Sequence, residues 1–424
     1  MILRRSFLFP PGGWFSSFLS LVLIAGLAAC GGEKKRILQK NPRLQRFTDQ
    51  TRLWMPQISG PIRKALFARA DGDETTDLLV LKQAASGPPV MEVWLNPDKE
   101  RFLPAPRSWT GRPGDRIEDM QVGFFNRDMS HEVVLIGRFE DGSRAKLLFN
   151  NGRGYFYEDD RVSLPMVREG MRRINVLDLD QDHNLDLLLF PMGGAGKGGA
   201  GPPENPLQFL LGRGEGRFQD RTRLLWPPLP PGVAGGVYAD YDNDHTLDVY
   251  LYYENGQNRL LVNNGLGKLK DITRTHLPPL RDKTLHADWA DFDLDGDQDL
   301  LVVNRELDRR HRAFEREHHY ALENNGQGYF TKKTLKALPP FPASGSYLLD
   351  ADGDEWADLI LVTSRGTHYL RGTGKWRFSL ETRKRLPSGP VFADITFADI
   401  NDDGYLDLFG VTPQGRGYLW VNTF

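Results

Sequence analysis

The chain has 424 residues, 26% of them charged, with a formal net charge of -2 at pH 7 and one cysteine. A single cysteine excludes an internal disulfide framework, so something else must hold the fold together. Near-balanced charge without a long basic run or a basic-aromatic pattern argues against nucleic-acid binding.

Arg4 and Arg5 precede an apolar stretch from Phe15 to Ala29, which is short for a membrane span and set off by Pro10, Pro11, Gly12 and Gly13. Residues 1–29 therefore read as an export signal. Leu27-Ala28-Ala29-Cys30 resembles a bacterial lipobox, which implies cleavage before Cys30 and lipidation of it, several acyl chains making a stable anchor. Gly31 stands where an aspartate would resemble an inner-membrane retention signal. The outer membrane is the implied location, on either its periplasmic or its surface side. Arg4-Arg5 leaves twin-arginine export open beside the general route. Residues 30–44 read as a lipidated polar tether. Loss of Arg4 and Arg5 takes the net charge of -2 to about -4, and five bound divalent cations would return it to about +6.

From residue 45 to 424 the chain repeats an acidic unit whose clearest copy is DFDLDGDQD, Asp291, Asp293, Asp295 and Asp299 with Gly296 at the bend. Carboxylates at positions 1, 3, 5 and 9 converge on one hard cation, and a glycine at position 6 permits the reversal. Calcium suits such a cage better than magnesium, and zinc or copper would want His and Cys ligands. In chain order the full copies are Asp178, Asp180, Asp182, Asp186; Asp240, Asp242, Asp244, Asp248; Asp291 to Asp299; Asp350, Asp352, Asp354, Asp358; and Asp399, Asn401, Asp403, Asp407. Two eroded copies precede them. Asp71, Asp73 and Asp77 have Arg69 at position 1, and Asn126, Asp128 and Glu132 have Phe124 there, so loops 71–77 and 126–132 are expected to bind weakly or not at all. Position 9 falls at 77, 132, 186, 248, 299, 358 and 407, a period of 49 to 62 residues.

Each acidic loop runs into an unbroken apolar segment, such as Leu187 to Phe190 or Leu300 to Val303, the mark of a strand buried on both faces. A second strand ends in a turn such as Asn150-Asn151-Gly152, Asn263-Asn264-Gly265 or Asn324-Asn325-Gly326. A third follows, as in Phe218-Gln219-Asp220, and Leu-Pro steps such as Leu103-Pro104 and Leu229-Pro230 mark the exits. With the strand leading into the loop, each unit is a four-stranded antiparallel meander. The expected fold is all-β, a seven-bladed β-propeller. The last unit lacks its outer strand, while Arg46-Phe47-Thr48-Asp49-Gln50-Thr51-Arg52-Leu53 matches Arg217 to Leu224. The N-terminal strand is therefore expected to close the last blade and cover its edge.

These units resemble FG-GAP or VCBS repeats, the calcium-loop blades familiar from the propeller of integrin α chains and from exported bacterial proteins. The resemblance covers residues 45–424 and implies about five Ca²⁺ sites, at the full copies named above, acting chiefly as staples between strands. His183, His245 and Glu355 replace the position-6 glycine.

Acidic loops lie on one face of such a disc, and ligands are usually displayed on the other. Two long loops are expected there, Pro191 to Pro206 and Asn304 to His319. The first is no phosphate loop around Lys197, since Gly198 replaces the Ser or Thr and Pro202 and Pro203 replace the helix. The second has a pattern compatible with a short helix; His311, His318 and His319 lack a fixed third metal ligand. No Gly-x-Ser-x-Gly, His-Glu-x-x-His or cysteine nucleophile is present, and nothing selects among Glu254, Asp282, Asp288, Glu306 and Asp308 as catalytic carboxylates. The expected function is non-catalytic binding of an envelope protein or a glycan by a monomer or a member of a hetero-complex. A calcium-dependent polysaccharide lyase or hydrolase and a structural assembly subunit are the alternatives.

Overall fold

A computed structural model describes residues 46–56, 58–162, 164–191, 206–304, 319–336, 338 and 343–423. The signal peptide, Cys30, the tether, Lys197, Glu306, Asp308, His311 and His318 lie outside the described residues.

The described residues form seven antiparallel sheets, each a meander whose first strand is innermost. Blade 3 is representative: Met171–Leu177, Asp186–Pro191, Gln208–Gly212 and Phe218–Asp220 pair in that order. Blade 1 carries an extra short strand, Trp109–Thr110, beside Leu103–Pro104 on the same partner. Pro104 thus sits within an outer strand rather than beyond it, at an edge where its missing N–H costs no ladder bond.

Side-chain alternation explains the ring. Along the second strand of blade 3, Leu187 and Leu189 pack toward blade 2 while Leu188 and Phe190 pack toward blade 4. Each apolar cluster lies at one junction between neighbours, and Ile62, Phe67 and Val80 of blade 1 meet Phe409, Val411 and Leu419 of blade 7. That last cluster closes the circle.

The closure uses the N-terminus as expected. Phe47–Asp49 pairs with Gly417–Asn422, placing Phe47 opposite Asn422. Phe47 is buried in the cluster between blades 6 and 7. Past the outer strand the chain makes one helical turn, at Thr51–Trp54, Thr222–Leu225, Thr273–His276 and Thr382–Arg385. In each, the threonine hydroxyl accepts an N–H from the third strand, from Leu419, Phe209, Leu260 and Tyr369 at 2.8 to 3.0 Å. These turns lock the outer strand, and the matching Thr-Arg-Leu of residues 51–53 and 222–224 carries them.

Polar contacts join the inner strands around the axis. Lys64 pairs with Asp119, whose other oxygen accepts the Ile174 N–H at 2.9 Å; Asn175 donates to Tyr238 Oη at 2.7 Å; and Tyr347 Oη accepts the Ile395 N–H at 3.1 Å.

Deleting residues 46–55 is predicted to expose the Gly417–Asn422 edge and cause aggregation or loss of cooperative unfolding; a truncated protein with the parent's melting temperature would contradict ring closure by this strand.

Candidate metal centres

Every acidic loop joins the first and second strands of a blade, so all seven lie on one face. Position 1 shapes the loop: Asp240 accepts the N–H groups of Asp244 and His245 at 2.9 and 3.0 Å, and Asp291 those of Asp295 and Gly296 at 3.2 and 2.9 Å. The reversal needs a left-handed residue, with φ of 94° at Gly296 and 88° at Gly404; His183, His245 and Glu355 adopt 67°, 69° and 71°. The five full copies therefore share one turn despite their different position-6 residues. Position 5 steadies the exit, Asp244 Oδ1 accepting the Thr246 N–H at 2.8 Å.

Position 9 has a different role. Asp186 accepts Leu179 N–H at 2.9 Å and Gly212 N–H at 2.7 Å, tying its loop to the third strand. Asp77, Asp299, Asp358 and Asp407 repeat both bonds. Burial outweighs these donors and pushes the carboxyls up, to about 7 at Asp77 and about 8 at Asp186, Asp248, Asp299, Asp358 and Asp407.

The third-strand asparagine completes the scaffold. Asn263 donates its N–H to Asp248 at 2.7 Å and its amide to the Leu179 carbonyl of the preceding loop at 2.8 Å. Asn324 and Asn422 do the same toward Tyr241 and Ala351, and Asn96 reaches across the closure to Ile400. The sequence shows Asn263 and Asn324 as turn formers; their buried ties between blades follow from periodicity only once the blade order is known.

Carboxylate oxygens from three residues converge within 4.8 Å at Asp178, Asp180, Asp186; Asp240, Asp242, Asp244; Asp291, Asp293, Asp295; Asp350, Asp352, Asp358; and Asp71, Asp73, Asp77. The last set belongs to a loop expected to be weak or empty. At 399–407, Asn401 stands in place of a carboxylate and its Oδ1 accepts the Asp403 N–H at 3.1 Å. At 126–132 the Asn126 amide nitrogen donates to Asp128 and Glu132 at 2.8 and 2.9 Å, filling the concavity with a neutral donor.

Position 3 tests the fit of a cation. Oδ1 of Asp180, Asp242, Asp293 and Asp352 is buried with no hydrogen-bond partner. A buried carboxylate oxygen without a donor is costly. Burial, then neighbouring carboxylates, raises the Asp180 and Asp242 carboxyls, and a divalent ion would remove that cost. All-oxygen donors on a flexible turn fit a hard cation.

No catalytic set assembles among the described residues named in the sequence. Asp282 accepts the Tyr320 hydroxyl at 2.5 Å. His286 Nδ1 lies 3.0 Å from Ser346 Oγ and 3.2 Å from Asp288 Oδ2, but one nitrogen facing both is not a serine-histidine-aspartate relay, which uses both ring nitrogens. His319 Nδ1 accepts the Asn304 N–H at 3.1 Å.

Residues 247–302 and 350–410 match the FG-GAP-like repeat. No curated protein matches the chain. Among solved structures, BBS1N in complex with ARL6DN is 11% identical over 86% of this chain and 94% of its own, with a TM-score of 0.51. An Agrocybe aegerita lectin that recognises non-reducing terminal N-acetylglucosamine is 18% identical over 81% of both chains, with a TM-score of 0.48. With the seven-bladed ring, the repeat match supports an FG-GAP repeat β-propeller.

Asp299→Ala leaves the Phe292 and Asn324 N–H groups without acceptors, and is predicted to cost roughly 2–6 kcal/mol in urea unfolding; a loss below about 1 kcal/mol would refute the tie. In chelator, the raised position-9 carboxyls hold protons that the unfolded chain releases near 4, so stability is predicted to fall as pH rises from about 4 to about 8. Melting temperatures at pH 5 and pH 8 check the sign, and a higher value at pH 8 would contradict it.

Proposed function

We propose that this FG-GAP repeat propeller is a calcium-stapled, lipid-anchored binding module of the bacterial outer membrane, presenting the face opposite its acidic loops to an envelope protein or glycan. The observation that carries the binding reading is a groove of about 820 Å³ at the ring seam, where Arg52, Leu53 and Ile58 face Arg416 and Tyr418. It lies at the ends of strands remote from the acidic loops. Leu53 is 71% exposed beside the arginines, an apolar contact bracketed by charge.

The anchor fits this orientation. Phe47 pairs with Asn422, whose N–H binds Asp407 on the acidic side, so the chain joins the ring from that side. A tether ending there favours the acidic loops facing the lipid and the groove facing away. Calcium would be held by Asp178, Asp180, Asp182 and Asp186 and by their counterparts in loops 240–248 and 291–299, with Asp399, Asn401, Asp403 and Asp407 as a further set. Its chemistry is charge compensation, and the chain's own residues supply the turn, the strand ties and the blade contacts.

Two measurements test the reading. EDTA is predicted to lower the melting temperature markedly, since each loop filled at a hundredfold excess over Kd adds about 2.7 kcal/mol; an unchanged temperature would rule out calcium as a staple. In capture from native envelopes, Leu53→Asp with Arg416→Glu is predicted to release a stoichiometric partner while leaving the melting temperature unchanged. Partner retention would move the interface elsewhere, and polysaccharide turnover would replace binding with a lyase or hydrolase activity.

A further inference from the structure

Six loops and one exception are visible once the third strands are aligned. The residue following the partner of each second strand's first apolar residue is Leu95, Phe149, Leu211, Val262, Glu323 and Val421 in blades 1, 2, 3, 4, 5 and 7. In blade 6 it is Arg371, next to Leu370, which pairs with Leu359. Five of the other six are apolar and none is basic.

Arg371 enters its own acidic loop. Its Nε lies 2.5 Å from Asp352 Oδ2, and its Nη2 binds Asp354 Oδ2. The Asp352 side chain is 5% exposed and that of Arg371 30%, so the pair is partly shielded from solvent. Loop shape is kept: Asp350 accepts the N–H groups of Gly353 and Glu355 at 2.8 and 3.0 Å, and Asp358 binds Tyr369 Oη at 2.5 Å and Gly372 N–H at 2.7 Å. Positions 3 and 5 are thus committed through one oxygen each to an internal cation. A divalent ion drawing on the same two side chains would lie against the guanidinium, and like charges at that separation repel strongly. Asp352 Oδ1 remains unpartnered, as do its counterparts in Asp180, Asp242 and Asp293, so the loop keeps the donor geometry of its sisters beneath the guanidinium.

We infer that Arg371 serves as the built-in cation of the blade-6 loop, which keeps its fold without calcium, and that removing the guanidinium uncovers an additional calcium site. This rests on the calcium reading for the sister loops. Blade 6 then differs from blades 3 and 4, whose loops depend on the ion, and from blade 5, where the largely exposed Lys375 reaches position 3 alone, its Nζ 3.3 Å from Asp293 Oδ2.

The test uses the mature chain, native mass spectrometry in Ca²⁺, and hydrogen exchange in EDTA. Arg371→Leu, which installs the residue of blades 1 and 3, is expected to bind one more Ca²⁺ per chain than the parent, and Arg371→Lys to keep the parent count. In EDTA, parent amides at 350–358 should stay protected while those at 291–299 lose protection, and Arg371→Leu should open 350–358 as well. Equal counts in the parent and Arg371→Leu with calcium bound to both, or identical exchange at 350–358 in the two, would overturn the inference. If neither protein binds Ca²⁺, the calcium reading of the sister loops fails by itself; the exchange comparison then decides whether Arg371 stabilises its loop.

Discussion

The buried carboxylate that opens each second strand is the constraint on which the ring depends. In blade 3, Asp186 holds the N–H of Leu179 in its own loop and of Gly212 on the third strand, so loop, second strand and third strand share one acceptor. Its counterparts in blades 1, 5, 6 and 7 make the same pair of bonds. The amide nitrogens of Asn96, Asn150, Asn263, Asn324 and Asn422 then carry the tie to the loop of the preceding blade. Apolar clusters supply the bulk of the driving force, but they are non-directional; the carboxylate and amide ties fix the register of the blades that carry them.

One backbone turn is combined with several ways of balancing its charge. Loops 178–186 and 291–299 gather acidic oxygens and leave one buried without a donor, and loop 240–248 leaves two, on Asp242 and Asp248. Loop 126–132 donates from the Asn126 amide, and loop 350–358 pairs with Arg371. In the full copies shape is encoded by the position-1 carboxylate and the left-handed position 6, while charge is balanced from within the turn at Asn126 and from outside it at Arg371. An amide or a guanidinium can therefore stand where a sister loop gathers only carboxylates, with the turn kept.

Much of this was legible in the sequence. The acidic spacing fixed where each blade begins, unbroken apolar runs such as Leu300 to Val303 marked strands packed on both faces, and the match of residues 46–53 to 217–224 located the closing strand. What escaped depends on contacts distant in sequence. Arg371 lies 17 residues beyond Asp354 and reads as an ordinary strand residue until registers are aligned. The helical turns that open on a threonine were hidden because four residues carry no helical period. Asn150 and Asn263 announce a turn; their second role needs a neighbour more than 75 residues away. Glu355 replaces a glycine at a left-handed bend and adopts φ of 71° there, its N–H held by the Asp350 carboxylate.

Anomalous diffraction near the calcium absorption edge, on crystals grown with Ca²⁺, reads the central claim directly. Peaks are predicted about 2.3–2.6 Å from Oδ1 of Asp180, Asp242 and Asp293. Absence of anomalous density at all three oxygens would contradict the account of the acidic face as a set of cation-organised loops.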